Sequence, residues 1–387
     1  MAAGGETSPE RSRPALGSTT VRVQGRELPS EDVVVSTVGR VAPLARLFYL
    51  LVGMGCFVSA LGLMRRGAEA LIPLLDGSFV TDNAWSTLGM GWLGACIVLS
   101  GSPVAASSLT LLDGGAIDRA QSFTMLMGSR LGASFVVLVA GVIYALRRKG
   151  SVGRSGPVSI GILALIMTAV TYVPGAAIGF WLLERGAFDG LDIGTSPSIA
   201  AATDTLFGWA VELFEGFLPG WSLFPVGVVI LLLGFALFDR VLPSMGSEEM
   251  EHRPEGWYSR KWPMFLLGCG VCLLTLSVSV ALTVLVPLVA SGRLRRANTL
   301  PYIAGANITT LADTLVAAIL LGNQDAVRVV VAVTVSVTAW TLVVMIFFYP
   351  LVRRFWLAAA TAALRSPRRL AGFVAGLLLL PVMLIAI

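Results

Sequence analysis

The sequence predicts an all-α integral membrane protein made of two repeats with re-entrant or broken helices, about eight to ten membrane elements in all. Three observations carry this. First, 56% of the 387 residues are hydrophobic, only 13% are charged, and mean hydropathy is +0.82. Soluble domains are nearer a quarter charged. Second, apolar runs of about 20 residues, the length that spans a bilayer as a helix, recur between short polar stretches. Third, the second half repeats the pattern of the first. Such a composition excludes a cytosolic enzyme, a disordered protein and a disulfide scaffold. Helices are expected because unpaired backbone groups cannot sit in lipid.

Residues 1–40 are polar and carry five arginines before any apolar run. They read as a disordered cytoplasmic tail, since a signal peptide would begin its apolar core far earlier. The first repeat covers 41–183. A span from about Val41 to Met64 ends at Arg65-Arg66, and a mixed stretch from Gly67 to Asn83 is too polar to cross. Apolar sequence from Trp85 to Leu112 is interrupted by Ser100-Gly101-Ser102-Pro103, and Asp113-Gly114-Gly115 ends it. Spans follow from Ala120 to Leu146, closed by Arg147-Arg148-Lys149, and from Val158 to Leu183, with Pro174-Gly175 as a kink. Residues 184–220 are acidic, with few arginines, and fit the non-cytoplasmic side.

The second repeat covers 221–350. A span from Trp221 to Leu242 leads into a charged linker, Pro243–Lys261. Apolar sequence from Trp262 to Ala290 is broken at Ser277 and Ser279, and spans follow at Thr299–Gly322 and Val327–Pro350. Residues 351–387 add a C-terminal membrane segment from Leu370.

The net charge is +5, and only Lys149 and Lys261 among the 28 basic residues are lysines. This arginine excess suggests a GC-rich bacterial genome, hence a multi-pass protein of a bacterial inner membrane. The basic runs sit between spans and read as topogenic. No basic patch with interleaved aromatics suggests nucleic-acid binding. Cys56, Cys96, Cys269 and Cys272 lie in apolar stretches and read as small buried hydrophobes. The single histidine, His252, excludes a histidine-based metal site, and no cofactor is expected.

Sliding the chain by 177 residues lays Leu99–Gly128 on Leu276–Gly305 without a gap. The matches include Ser100/Ser277, Ser102/Ser279, Gly115/Gly292, Arg119/Arg296 and Gly128/Gly305. The preceding spans align at a shift of 174, Val52-Gly53 on Val226-Gly227. Duplicated halves with interrupted helices at corresponding positions are a signature of secondary transporters, whose site lies between the repeats near the midplane. At such breaks, freed backbone N–H groups and Ser hydroxyls can hold an anion, and carbonyl and hydroxyl oxygens a sodium ion. The alternative for the serines is packing between helices.

At these residues the chain resembles the sodium-dependent phosphate cotransporter family. That family carries a Gln-Ser-Ser-Ser motif in each of two inverted repeats, followed by Gly-Ala-Asn-Ile-Gly-Thr. Here the second element reads Gly305-Ala306-Asn307-Ile308-Thr309-Thr310, and its first-half counterpart begins Gly128-Ser129-Arg130. The serine motifs read Leu99-Ser100-Gly101-Ser102 and Leu276-Ser277-Val278-Ser279, with Leu for both glutamines. The resemblance implies inverted repeats over roughly 45–146 and 221–322, and sodium-coupled phosphate uptake by alternating access.

It also implies substrate-binding roles for Ser100, Ser102, Ser277, Ser279 and Asn307. Arg130 stands where the first repeat would carry Asn. It reads as an anion ligand, its fork matching phosphate, or as a snorkelling arginine. Thr309, Thr310 and Asp313 are the cation-coupling candidates. Asp313, an ionisable residue inside a span, either binds sodium or a proton, or pairs with Arg130 or another buried arginine. Expected partners are phosphate or another small anion, sodium and the bilayer. Alternatives are a same-fold transporter or exporter of another anion, and a transport-inactive scaffold. The sequence has no Walker loop, Gly-x-Ser-x-Gly elbow or His-Glu-x-x-His motif, so an enzyme is not expected.

Overall fold

The computed structural model describes residues 22–23, 26–27, 43–75, 83–147, 155–191, 205, 208–241, 259–290 and 294–387. The chain forms two units, Met1–Ala45 and Arg46–Ile387. In the first, Arg22–Val23 (β1) pairs antiparallel with Arg26–Glu27 (β2). The rest of the predicted tail, 1–40, lies outside the described residues.

The second unit is helical. Its first half holds α1 (Pro43–Leu75), α2 (Ala84–Val98), α3 (Ser102–Asp113), α4 (Arg119–Ala133), α5 (Phe135–Arg147) and α6 (Ser155–Glu184). Residues 208–215 are also helical, within the predicted acidic loop. The second half holds α7 (Gly220–Val241), α8 (Lys261–Thr275), α9 (Val278–Thr283), α10 (Leu285–Ala290), α11 (Arg296–Thr309), α12 (Ala312–Leu321) and α13 (Gln324–Val343). A π-helical turn, Val344–Phe348, joins α13 to α14 (Tyr349–Ala363), and α15 (Pro367–Ile385) closes the chain.

Seven helical stretches among the described residues are long and apolar enough to cross a membrane. Two boundaries differ from the sequence reading. α1 does not stop at Arg65-Arg66 but runs on to Leu75. The arginines are tolerated because they face outward and find acids: Arg65 Nε lies 3.0 Å from Asp113 Oδ2, and Arg66 Nε 3.6 Å from Glu215 Oε1. The predicted end at Pro350 is also passed, for a single stretch covers Gln324–Ala363. Pro350 lies in the first turn of α14, where a missing N–H costs little.

The two interrupted segments are hairpins. α2 is 15 residues long, about 22 Å, short of the ~30 Å hydrocarbon core. It lies parallel to α4, with Thr87 Oγ1 2.8 Å from Thr124 Oγ1 at one end and Cys96 beside Gly132 at the other. α3 returns antiparallel to α4: Gly101 abuts Ser129 and Ala133, and Ser122 Oγ donates to the Ser108 carbonyl. The α2–α3 pair therefore enters and leaves on one side. α8, also 15 residues, runs parallel to α11 in the same way, with Phe265 against Gly305 and Thr309 Oγ1 donating to the Cys269 carbonyl.

Close approach sets both pairs. A Cβ built on Gly91 would collide with the Met125 carbonyl oxygen, and one on Gly268 with that of Tyr302. The 177-residue shift that relates Gly91 to Gly268 also relates Met125 to Tyr302. Each short leg ends on a leucine in the left-handed region, Leu99 at φ 57° and Leu276 at φ 49°. They are the only non-glycine residues of positive φ among the described residues. At about 1–2 kcal/mol each, the repeated strain marks a held backbone reversal.

The repeats are inverted. Gly53 of α1 packs on the Phe238 ring of α7, and Gly227 of α7 packs on Met64 of α1. The 174-residue shift that carries Gly53 to Gly227 also carries Met64 to Phe238. One contact is thus the other with partners exchanged, as a two-fold axis requires. Residues ascend along α1 as they descend along α7, so equivalent helices run in opposite directions.

The four cysteines are free, and Cys96 and Cys272 are buried.

Candidate functional site

The hairpin tips of both repeats meet at one cavity of about 220 Å³. Ser100 and Ser102 line it from the first repeat, and Thr275, Leu276 and Ser277 from the second. Asp313 supplies the one charged side chain of the lining. Aromatic residues of α1 and α7, Phe57, Phe235 and Phe238, form an apolar wall. Local chemistry builds each tip. Ser102 and Pro103 open α3, whose positive end is thereby brought to the cavity. Ser277 caps α9, its Oγ accepting from the Val280 N–H at 3.3 Å.

Behind the cavity the repeats are joined by a buried ion pair. Arg130, 2% exposed, sits in the last turn of α4. Its Nη1 donates to Thr310 Oγ1 at 3.1 Å and its Nη2 to Thr314 Oγ1. Nη2 also lies 3.7 Å from Asp313 Oδ1. That carboxylate oxygen accepts from the Thr314 N–H and hydroxyl at 2.6 and 2.9 Å. Asp313 lies in the first turn of α12, where the helix dipole favours its charge. Two atoms are left over: Arg130 Nε and Asp313 Oδ2 are buried with no hydrogen-bond partner among the described residues. An unsatisfied pair beside a cavity is open to a further ligand.

Both long helices break at this level. α4 gives way to α5 at Ser134, and α11 to α12 at Thr310-Leu311. The 177-residue shift carries Ser134 to Leu311. At the first break, Ser134 Oγ lies 2.7 Å from Thr168 Oγ1, which accepts from Asn307 Nδ2 at 2.9 Å. Tyr172 OH donates to the Asn307 carbonyl at 2.6 Å.

The cavity therefore gathers four of the candidate residues: Ser100, Ser102, Ser277 and Asp313. Ser279 lies outside its lining, in the first turn of α9. Arg130 and Thr310 stand one layer behind, touching each other. Asn307 is 3% exposed and its amide is committed to Thr168. Thr309 is spent on helix packing, bonded to the Cys269 and Gly305 carbonyls. Sequence reasoning missed Thr275, Thr314, Thr168 and Tyr172. The first two were findable as hydroxyls flanking Leu276-Ser277 and Asp313. The pair on α6 had no motif to betray it.

Inverted repeats whose re-entrant tips converge on one cavity are an arrangement that secondary transporters use. Residues 230–384 match the Na+/Pi-cotransporter family, so the resemblance read at Gly305-Ala306-Asn307-Ile308 holds. The match takes in the second tip and Asp313. Ser100, Ser102 and Arg130 lie outside it and are tied to it by the internal repeat. No curated protein and no solved structure matches the chain.

Proposed function

We propose that the chain is a secondary active transporter that takes up inorganic phosphate together with sodium by alternating access. The observation that carries this reading is the convergence of both hairpin tips and one buried carboxylate on a single cavity. Ser100, Ser102 and Ser277, with the N-terminus of α3, hold the anion. Asp313 holds the cation, using its unpartnered Oδ2 and the neighbouring hydroxyls. Arg130 and Thr310 act through Asp313, setting its position. Asn307, Thr309 and Ser279 position the helices that carry the second tip.

The crossings support an orientation. α1, α4–α5 and α6 each cross once, which returns Arg147 to the side where α1 starts. With that side cytoplasmic, the Arg-rich tail and Arg147-Arg148-Lys149 obey the positive-inside rule, and the acidic 184–220 stretch lies outside. The chain is then a multi-pass protein of a bacterial inner membrane. One observation favours a different small anion on the same machinery. Leu99 and Leu276 occupy the tips where the family's motif has glutamine, which removes two amides.

The test is uptake of labelled phosphate into proteoliposomes, with and without an inward sodium gradient. Uptake should require the gradient. Ser102→Ala/Ser277→Ala should lower it at least tenfold at subsaturating phosphate, because each hydroxyl bonded to a charged ligand is worth about 1.5–3 kcal/mol. Absence of phosphate uptake by folded protein, with uptake of another anion in its place, would move the assignment to that solute.

A further inference from the structure

We propose that an anionic phospholipid of the bilayer docks on the C-terminal helix, its phosphate at Arg368 and Arg369 and one acyl chain in the groove beside them. The groove has a volume of about 660 Å³ and lies between α15 and the helices α2, α4 and α6. Trp92, Leu131 and Leu165 form one wall, Phe373, Gly376 and Leu377 the other. It is separate from the cavity at the hairpin tips, and the proposal is independent of the transported solute.

Register joins the groove to the arginines. Arg368, Gly372, Gly376 and Leu380 follow one another at four-residue steps, and so do Arg369, Phe373 and Leu377. Residues four apart share a helix face, so each ridge that lines the groove begins at an arginine. Arg368 and Arg369 are exposed and make no ion pair among the described residues. Basic residues directly beside a spanning helix attract anionic headgroups, at about 1 kcal/mol each. Ser366 caps this end of α15, its Oγ accepting from the Arg369 N–H at 3.3 Å.

Length and surface chemistry point to an acyl chain. The lining runs along α15 from Gly372 to Met383, about 16 Å at 1.5 Å per residue. That is the depth of one leaflet of a ~30 Å core. Gly372 and Gly376 have open space where a Cβ would stand, so they deepen the groove without serving helix contact. Topogenic bias alone would account for the arginines but not for a leaflet-deep groove in register with them.

The experiment titrates the delipidated full-length protein in neutral detergent with phosphatidylglycerol or phosphatidylcholine, read by native mass spectrometry. Phosphatidylglycerol should bind saturably and more tightly, and millimolar free phosphate should not compete. Arg368→Gln/Arg369→Gln should weaken it on the order of 30-fold. Gly376→Leu should block it while leaving the lipid-free thermal midpoint unchanged. Gly376→Ala, which only fills open space, should weaken it less. Equal binding of both lipids, or affinity unchanged in both the arginine and the leucine variants, would overturn the proposal. Competition by free phosphate would instead assign the arginines to the ion, and loss of a dimer in Gly376→Leu would assign the groove to a second copy.

Discussion

Arg130→Met should destabilise the folded protein by about 3–5 kcal/mol, and adding Asp313→Leu should restore most of that loss. Asp313 is buried, and the arginine supplies its only ion pair among the described residues. Removing Arg130 leaves an uncompensated carboxylate in a low-dielectric interior and takes their guanidinium donor from the Thr310 and Thr314 hydroxyl oxygens. Removing both charges takes away the desolvation penalty together with the attraction. Thermal midpoints of the two single variants and the double variant, in one detergent, check this. A double variant no more stable than Arg130→Met would mean that the charges do not act as a pair.

Transport separates a structural pair from a coupling one. Asp313→Asn keeps the side-chain shape and one carbonyl acceptor for Thr314, and should insert and fold. It should nevertheless abolish cation-dependent uptake, because the proposed cation has lost its only anionic ligand in the cavity. Uptake that stays dependent on the gradient would remove Asp313 from the coupling mechanism. The stabilised double variant should be inactive as well, so recovered stability without recovered transport is the expected signature.

Much of this arrangement was legible in the residues, for a physical reason. A duplicated hairpin needs the same small residues at the same crossings and the same reversal at the same tip. Gly128/Gly305 and Ser100/Ser277 therefore survive in register while the apolar filling around them drifts. The inversion itself could be read only by resemblance, because a sequence shift is blind to direction. It needed the exchanged contacts of Gly53 with Phe238 and Gly227 with Met64.

The candidate site divides along the same line. Residues at the tips face the cavity because the backbone reversal puts them there, whatever surrounds them. Residues on the long helices depend on what crosses them. Asn307 carries the most recognisable motif, yet its amide is taken by Thr168, a residue of α6 with no motif of its own. Arg130 and Asp313 were read as either ligands or partners, and only packing could bring together groups so far apart in sequence. The run of α1 past Arg65 was missed similarly, because its acid partners, Asp113 and Glu215, are distant along the chain.

Gly268→Ala and Gly128→Ala should each cost several kcal/mol and abolish uptake, whereas Gly270→Ala should do neither. A Cβ at Gly268 falls on the Tyr302 carbonyl oxygen, and one at Gly128 on that of Leu88. Both atoms are backbone, so neither can swing aside, and the helices must part by about 1 Å or more to restore contact. Overpacking of a well-fitted contact costs about 1–3 kcal/mol when side chains can yield, and more when they cannot. Gly270 is on the same helix with nothing within 4 Å of its Cβ position. Alanine there should stabilise α8 by up to about 1 kcal/mol through helix propensity alone. Comparing Gly268→Ala with Gly270→Ala therefore holds the helix and the substitution constant and varies only the crossing. Thermal midpoint and uptake should fall together in the first variant, since moving α8 off α11 also moves Leu276 and Ser277 away from the cavity. The first-repeat variant Gly128→Ala should behave the same way, because the two-fold relation makes α2 on α4 the same joint. Equal, small effects at Gly268 and Gly270 would mean that the hairpin does not rest on α11 by backbone contact.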